Sequence, residues 1–215
     1  MPDAGGTLAA RAAELLPAGC FTASADPRRT WPLWQGEEGQ GMVPRRLAEF
    51  SAGRQAARLA MGAAGLQPVA VPKAPDRAPV WPFGLAGSIS HSDLACIAAV
   101  STGLAGLGLD LEPLRPLDPA VAALVTGPED RVVADGDPGL LVFCAKEAAY
   151  KAQYPLTRRL FGPEMLAVMI TGEGFRARFR GAVAPFERGA EIEGRITLCA
   201  GHVLAVAWIA TRATA

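Results

Sequence analysis

The chain has 215 residues, half of them hydrophobic and a fifth charged, which is ordinary globular composition and enough for one domain or two small ones. Its 21 basic and 21 acidic residues cancel, which speaks against a dedicated nucleic-acid binder, since those carry a basic excess. Four widely spaced cysteines without a C-x-x-C pair and only two histidines supply a zinc site poorly and fit free thiols in a reducing cytoplasm. No basic segment followed by an apolar run opens the chain, so no signal peptide is read. The most apolar late segment, residues 198–210, is broken by Gly201 and His202 and is too short to span a membrane.

Residues 1–43 are rich in Ala, Gly and Pro. Within them, residues 8–16 predict a short helix ended by Pro17, and Trp31 and Trp34 predict a loop packed onto the body. Pro44 then opens a helix from about Arg45 to Ala64, closed at Gly65. Leu47, Phe50, Ala57 and Met61 form its apolar stripe, and Arg54 and Arg58, four apart, share another face. Residues 66–86 are Pro-rich and aperiodic, hence a loop, which carries Lys73 and Arg77 and breaks at Trp81-Pro82-Phe83-Gly84.

Short strands are predicted at Gly87–His91, Leu94–Val100 and Gly106–Glu112, the last turning back through Thr102-Gly103. This reading places Asp110 and Glu112 at the far end of one small sheet with Ser90 and His91. Gly127-Pro128-Glu129-Asp130 predicts the start of a helix or helical turn, and a helix from Leu140 to Tyr154 is predicted to stop at Pro155. Strands follow at Met165–Thr171, Phe175–Arg180, Ile192–Leu198 and His202–Ile209. Phe175–Arg180 alternates Phe and Ala with Arg, which aligns Arg176, Arg178 and Arg180 on one face. The succession of long helix then strands occurs twice, so the fold class is α+β in two similar halves, residues 1–107 and 108–215.

Two stretches carry the chemistry. Gly108-Leu109-Asp110-Leu111-Glu112 reads as a strand whose two carboxylates project from one face. Ala145-Lys146-Glu147-Ala148-Ala149-Tyr150-Lys151-Ala152 reads as a helix with Glu147 and Lys151 stacked one turn apart. Three carboxylates and a lysine suit magnesium and phosphate, because Mg²⁺ takes hard oxygen ligands, usually one or two carboxylates with phosphate oxygens and water. Singly, each motif has an ordinary explanation: a solvated strand edge, a helix salt bridge, a hydrogen-bonded histidine.

Jointly, in the order Ser88-Ile89-Ser90-His91-Ser92, then Gly108 to Pro113, then Ala145 to Ala152, they closely resemble the 4′-phosphopantetheinyl transferases of the Sfp type with two pseudo-repeated halves, as in EntD-like and actinobacterial members. The resemblance covers about Arg45 to Leu160 and includes Arg45-Arg46, Glu49-Phe50, Arg54, Ala57-Arg58 and Trp81-Pro82, while residues 1–40 and 162–215 match only in general character. It implies a monomer with its active site in the cleft between the halves. It implies that coenzyme A binds there with Mg²⁺, that a serine of an apo acyl or peptidyl carrier protein attacks the β-phosphate, and that 3′,5′-ADP leaves. Asp110 and Glu147 match direct metal ligands, and Glu112 a ligand or the holder of a metal-bound water. Either Glu112 or Glu147 would accept the serine proton, and Lys151 would contact the pyrophosphate. Ser90 and His91 match phosphate contacts on coenzyme A, and Arg46, Arg54 and Lys73 match positions near its 3′-phosphate and adenosine. Cys144 stands where Ser or Thr is common, and its apolar setting gives it no expected role as a nucleophile.

Two other classes fit parts of the pattern. A carrier-binding module that has lost transfer would lack some of these groups, and all are present. A Mg²⁺-dependent nucleotide pyrophosphatase would share the metal site without a carrier surface. A carrier docks through an acidic surface, for which Arg158-Arg159 and the Arg176/Arg178/Arg180 face are the candidate local patches on a chain of zero net charge.

Overall fold

A proline sets the start of each long helix. Pro44 and Pro138 both sit in the first helical turn, where the missing N–H has no intrahelical partner and the fixed φ suits the helix. The computed structural model describes residues 3–211. The two expected halves extend to residues 1 and 215, and positions 1–2 and 212–215 lie outside the described residues. The element order is α1 (Ala4–Leu15), β1 (Cys20–Ala25), α2 (Pro44–Ala63), β2 (Ala86–His91), β3 (Cys96–Ser101), β4 (Leu104–Pro113), α3 (Pro119–Val125), β5 (Arg131–Val133), α4 (Pro138–Thr157), a 3₁₀ turn at Pro163–Met165, β6 (Leu166–Thr171), β7 (Gly174–Phe179), β8 (Glu191–Cys199) and β9 (His202–Ala210). The chain is α+β and divides into two compact units, Met1–Leu104 and Ala105–Ala215.

In the first unit, β3 lies between β1 and β2 and is antiparallel to both. Every residue of β3 is buried. The sheet carries α2 through small side chains: Ala52, Ala56, Ala57, Ala60 and Met61 share one core with Cys96, Ala98 and Val100. Gly65, at φ +71, ends α2 in the left-handed conformation, while Leu66 N–H donates to Met61 O at 3.0 Å. The Trp-Pro break folds onto β2: a Cβ at Gly87 would lie 2.6 Å from the Trp81 ring. Trp31 and Trp34 do pack a loop, Trp31 Nε1 donating to Asp26 O at 3.0 Å and Trp34 lying under Arg58.

The second unit is a six-stranded sheet in the order β4-β9-β8-β7-β6-β5. From β6 to β9 it is an antiparallel meander, and the short β5 adds in parallel to β6. α4 covers one face, its buried Ala145, Ala148, Ala149 and Ala152 packing against Val168, Phe175, Ala177, Val203 and Ala205. An aromatic run from Tyr150 through Phe161 and Phe179 to Phe186 anchors the same side of α4.

Several expectations change here. β1 is a strand although its sequence, Cys-Phe-Thr-Ala-Ser-Ala, has no strong strand pattern; its pairing with β3 makes it one. The strand bearing Asp110 and Glu112 is not in the sheet of Ser90 and His91. It pairs with β9 in the larger sheet, a long-range choice that local periodicity does not encode. Residues 127–130 open no helix. The helix α3 lies upstream, capped by the Asp118 side chain, which accepts from Ala120 N–H at 2.8 Å, and 127–130 is a turn leading into β5. Pro155 does not stop α4, which runs to Thr157 before Arg158 caps it at φ 52. In the last turn the proline forfeits one hydrogen bond, to the carbonyl of residue 151, which the helix end tolerates.

Candidate active site

β4 and α4 meet backbone to backbone. A Cβ at Gly108 would lie 1.9 Å from Ala148 O, and one at Gly106 would lie 2.2 Å from Ala152 O. Only glycine permits that approach. Alternation places residues 106, 108, 110 and 112 on the same strand face. The face that touches α4 through glycine therefore presents carboxylates at its next two positions. The opposite face is apolar, with Leu107, Leu109 and Leu111 buried.

The helix meets those carboxylates with a lysine. Lys151 Nζ donates to Asp110 Oδ1 at 2.5 Å, with the Asp110 side chain 5% exposed and that of Lys151 30% exposed. Glu147 lies one turn earlier on the same face of α4. Burial, and then the charge of Asp110, raise the Glu147 carboxyl above its ordinary value. Burial pushes Glu112 up to about 7, assisted by Asp110 and Glu147 and opposed by Lys151 and Arg115. Burial also works against the charge of Lys151, yet Asp110 and Glu147 outweigh it and hold the ammonium above its ordinary value. The site thus sets three coupled carboxylates against one buried-side ammonium, with Arg115 adding a smaller pull on Glu112.

Among the described residues no three His, Cys, Asp or Glu side chains are gathered into a metal cage. The donor set nonetheless fits a hard divalent cation. Its oxygens are carboxylate, its charge is in negative excess, and two of its acids are held above their ordinary range by burial and by the neighbouring Asp110 charge, against the pull of Lys151. Mg²⁺ completes its shell from water and phosphate, so a closed three-acid cage is not required.

The first unit assembles its own polar cluster. Arg46 Nη1 lies 3.0 Å from His91 Nε2. Burial raises Glu49, but hydrogen bonds from Arg45 and Arg46 outweigh it and hold the carboxylate below its ordinary value. Arg45 also pairs with Asp93. Ser90 is buried beside His91 in β2. Arg54 is no solvated side chain: it is buried, Nε donates to Val71 O at 2.8 Å, and its guanidinium lies 4.2 Å from the Phe50 ring centroid. Lys73 approaches the same ring at 6.0 Å from an exposed loop position. Arg58 is buried in an ion pair with Glu37 at 2.5 Å, and Glu37 also accepts from Val71 N–H.

Two residues escaped the sequence reading. Cys144 is fully buried, with its Sγ 3.8 Å from Val203 O, and burial followed by the charge of Asp110 pushes its thiol well above the ordinary value. Its spacing of seven from Lys151, two helical turns, was the available signal. Lys146 is buried against Asp130 at 2.8 Å and donates to Val125 O at 2.8 Å. Asp130 in turn accepts from Gly127 and Val168 N–H, so this pair ties α4 to the turn before β5 and to β6. A lysine one residue before Glu147 looks, in sequence, like any helix cation. Of the basic strand face, Arg178 and Arg180 both pair with Glu129 and Arg176 lies 3.9 Å from Glu191, so that face is largely neutralised.

The first unit thus carries an arginine–histidine cluster and the second a carboxylate-rich cluster with a lysine, and comparison with known proteins gives the family. The N-terminal domain of the 4′-phosphopantetheinyl transferases matches residues 36–101. The chain is 40% identical to the 4′-phosphopantetheinyl transferase Svp of Streptomyces mobaraensis over 80% of its own length and 75% of that relative's. It belongs to the 4′-phosphopantetheinyl transferases, in their Sfp/EntD-like type. It is also 40% identical to the 4′-phosphopantetheinyl transferase Npt of Nocardia iowensis over 57% of the chain and 58% of that relative. A third likeness, 35% over half of the chain, is to the enterobactin synthase component D of Salmonella typhi, of which 48% is covered. The chain thus spans between about half and three quarters of the length of these curated relatives.

Proposed function

We propose that this chain transfers the 4′-phosphopantetheine group of coenzyme A to a serine of an apo acyl or peptidyl carrier protein, in a Mg²⁺-dependent reaction that releases 3′,5′-ADP. The observation that carries the reading is the Asp110–Lys151 contact with Glu112 and Glu147 coupled to it. Asp110 and Glu147 would hold the metal, with Glu112 as a further ligand or acting through water. Bound there, Mg²⁺ would neutralise charge on the coenzyme A pyrophosphate and position it.

The protein groups then act as follows. The carrier serine oxygen forms a bond to the β-phosphorus as the bond from that phosphorus to the departing 3′,5′-ADP oxygen breaks. The serine proton passes to Glu112 or Glu147, directly or through water. Lys151 would meet the charge that grows on the departing phosphate; such placement of charge supplies most of the catalysis in phosphoryl transfer. In the first unit, Ser90, His91 and Arg46 are proposed for the phosphates of coenzyme A, and Lys73 for its nucleotide end. Arg54 would join Lys73 through the guanidinium nitrogens not engaged by Val71.

The carrier serves polyketide, nonribosomal peptide, siderophore or fatty-acid synthesis. The likeness to an enterobactin synthase component supports siderophore synthesis as one pathway to test. No helix among the described residues is long and apolar enough to cross a membrane. We read the chain as a cytoplasmic monomer that engages neither membrane nor nucleic acid. The test is the intact mass of an apo carrier after incubation with this protein, coenzyme A and Mg²⁺. A gain of one phosphopantetheine group, prevented by EDTA, is expected. Coenzyme A cleaved with no carrier modified would overturn the transfer in favour of hydrolysis, and coenzyme A bound with no carrier modified would overturn it in favour of a binding module.

A further inference from the structure

The contact between β4 and α4 has a regular register. Gly106 faces Ala152 and Gly108 faces Ala148. Each step of two strand residues advances about 6.7 Å, and each step of four helix residues about 6 Å. The next pair in the series is therefore Asp110 with residue 144. That residue is Cys144, whose thiol is fully buried and lies 3.8 Å from Val203 O on β9, the strand beside β4. Lys151, seven residues on, returns to the same helical stripe and takes Asp110 Oδ1 at 2.5 Å.

We infer that Cys144 is a positioning residue for the active site: its S–H donates to the Asp110 carboxylate and, with Lys151, fixes the rotation of that carboxylate. A carboxylate held by one flexible ammonium can swivel about its own bond. A second, fully buried donor on a packed helix removes that freedom, as partners behind a ligating group commonly do. The thiol is a weak donor, but facing an ionised acceptor in a water-free setting strengthens the bond. The glycines make it possible, since any side chain at 106 or 108 would lift β4 off the helix and carry Asp110 out of reach. The metal-facing consequence rests on the transferase reading; the thiol contact does not.

The experiment separates the two. The infrared S–H stretch of Cys144 is isolated as the difference between wild-type and Cys144→Ala spectra, at a temperature where both are folded. It is expected below the frequency of a free thiol and to rise in Asp110→Asn, where the acceptor loses its charge. A stretch at the free-thiol position, or one indifferent to Asp110→Asn because Val203 O is the true acceptor, overturns the inference. Mn²⁺ binding, followed by electron paramagnetic resonance without any substrate, is expected to weaken about tenfold in Cys144→Ala and to recover in Cys144→Ser, which keeps a donor. Equal Mn²⁺ affinity in Cys144→Ala and wild type overturns the positioning role. If the wild type binds no Mn²⁺, the metal reading fails, and the thiol frequency alone decides whether Cys144 holds Asp110.

Discussion

Charge is buried in two opposite ways along the two long helices. α2 and α4 are each 20 residues long, each begins at a proline, and each packs an alanine-rich face on its own sheet. On α2, Arg58 meets Glu37 one to one, with side chains 3% and 0% exposed, and the remaining lone pairs and protons go to Val71, Trp34 and Pro32. Lys146 with Asp130 on α4 is closed in the same manner. Lys151 is not closed. It satisfies Asp110 but faces Glu112 and Glu147 as well. A buried cation matched by one carboxylate is structural, whereas a cation outnumbered by carboxylates leaves a deficit of positive charge that a divalent ion can fill.

The largest expected effects break that unmatched cluster. Asp110→Ala or Glu147→Ala should abolish Mg²⁺-dependent transfer, a loss of at least about 10²–10³-fold, with the circular-dichroism spectrum unchanged. Near-normal turnover in either folded variant would remove the proposed metal site. Lys151→Ala should lower kcat by about 10²-fold and change coenzyme A affinity far less, as read from full kinetic curves.

The matched pair should respond through stability instead. Glu37→Gln or Arg58→Met leaves one buried charge without its partner and should cost about 3–5 kcal/mol, seen as a lower midpoint in urea. Transfer per folded molecule should be unchanged. A loss of turnover without a loss of stability would make Arg58 part of the site and erase the contrast. Arg54 sharpens it, being closed by Val71 and Phe50 yet proposed for coenzyme A. Arg54→Ala should weaken coenzyme A binding more than it lowers kcat, and should discriminate less between coenzyme A and its 3′-dephospho form.

The smallest effect is a pH dependence of the metal-free protein. Glu112 and Glu147 lie above their ordinary value of 4.5 in the folded chain, Glu112 at about 7. The fold therefore favours their protonated forms. This contribution to stability is fully present below about pH 4.5 and is lost as pH rises through about 7. Glu112→Gln should flatten that part of the profile, and Mg²⁺ should offset the loss on the alkaline side.

Much of this was legible in the sequence, and the limits have physical reasons. Both long helices and the β6 to β9 meander follow from periodicity, proline and glycine placement. Asp110, Glu112, Glu147 and Lys151 come together because a strand with period 2 and a helix with a repeat of four each put their charges on one face. What a local pattern could not give was pairing at a distance. β1 owes its conformation to β3, and β4 owes its place in the larger sheet to β9. The burial of Arg54, Arg58 and Lys146 was hidden for the same reason: their partners Val71, Glu37 and Asp130 lie 16 to 21 residues away in loops without a repeat. Cys144 read as a replacement for Ser or Thr in an apolar setting with no role as a nucleophile, because sequence does not show which groups are brought to a thiol.

The claim at the centre of this account is that the carboxylates around Lys151 are in excess and that a divalent ion relieves it. Carbon-13 NMR of the side-chain carboxyls, titrated with and without Mg²⁺, measures that directly. The account predicts a glutamate carboxyl, lost in Glu112→Gln, that titrates near pH 7 without metal and falls toward the ordinary carboxylate range when Mg²⁺ is added. Glu112 and Glu147 both titrating in the ordinary range, unmoved by Mg²⁺, would contradict it.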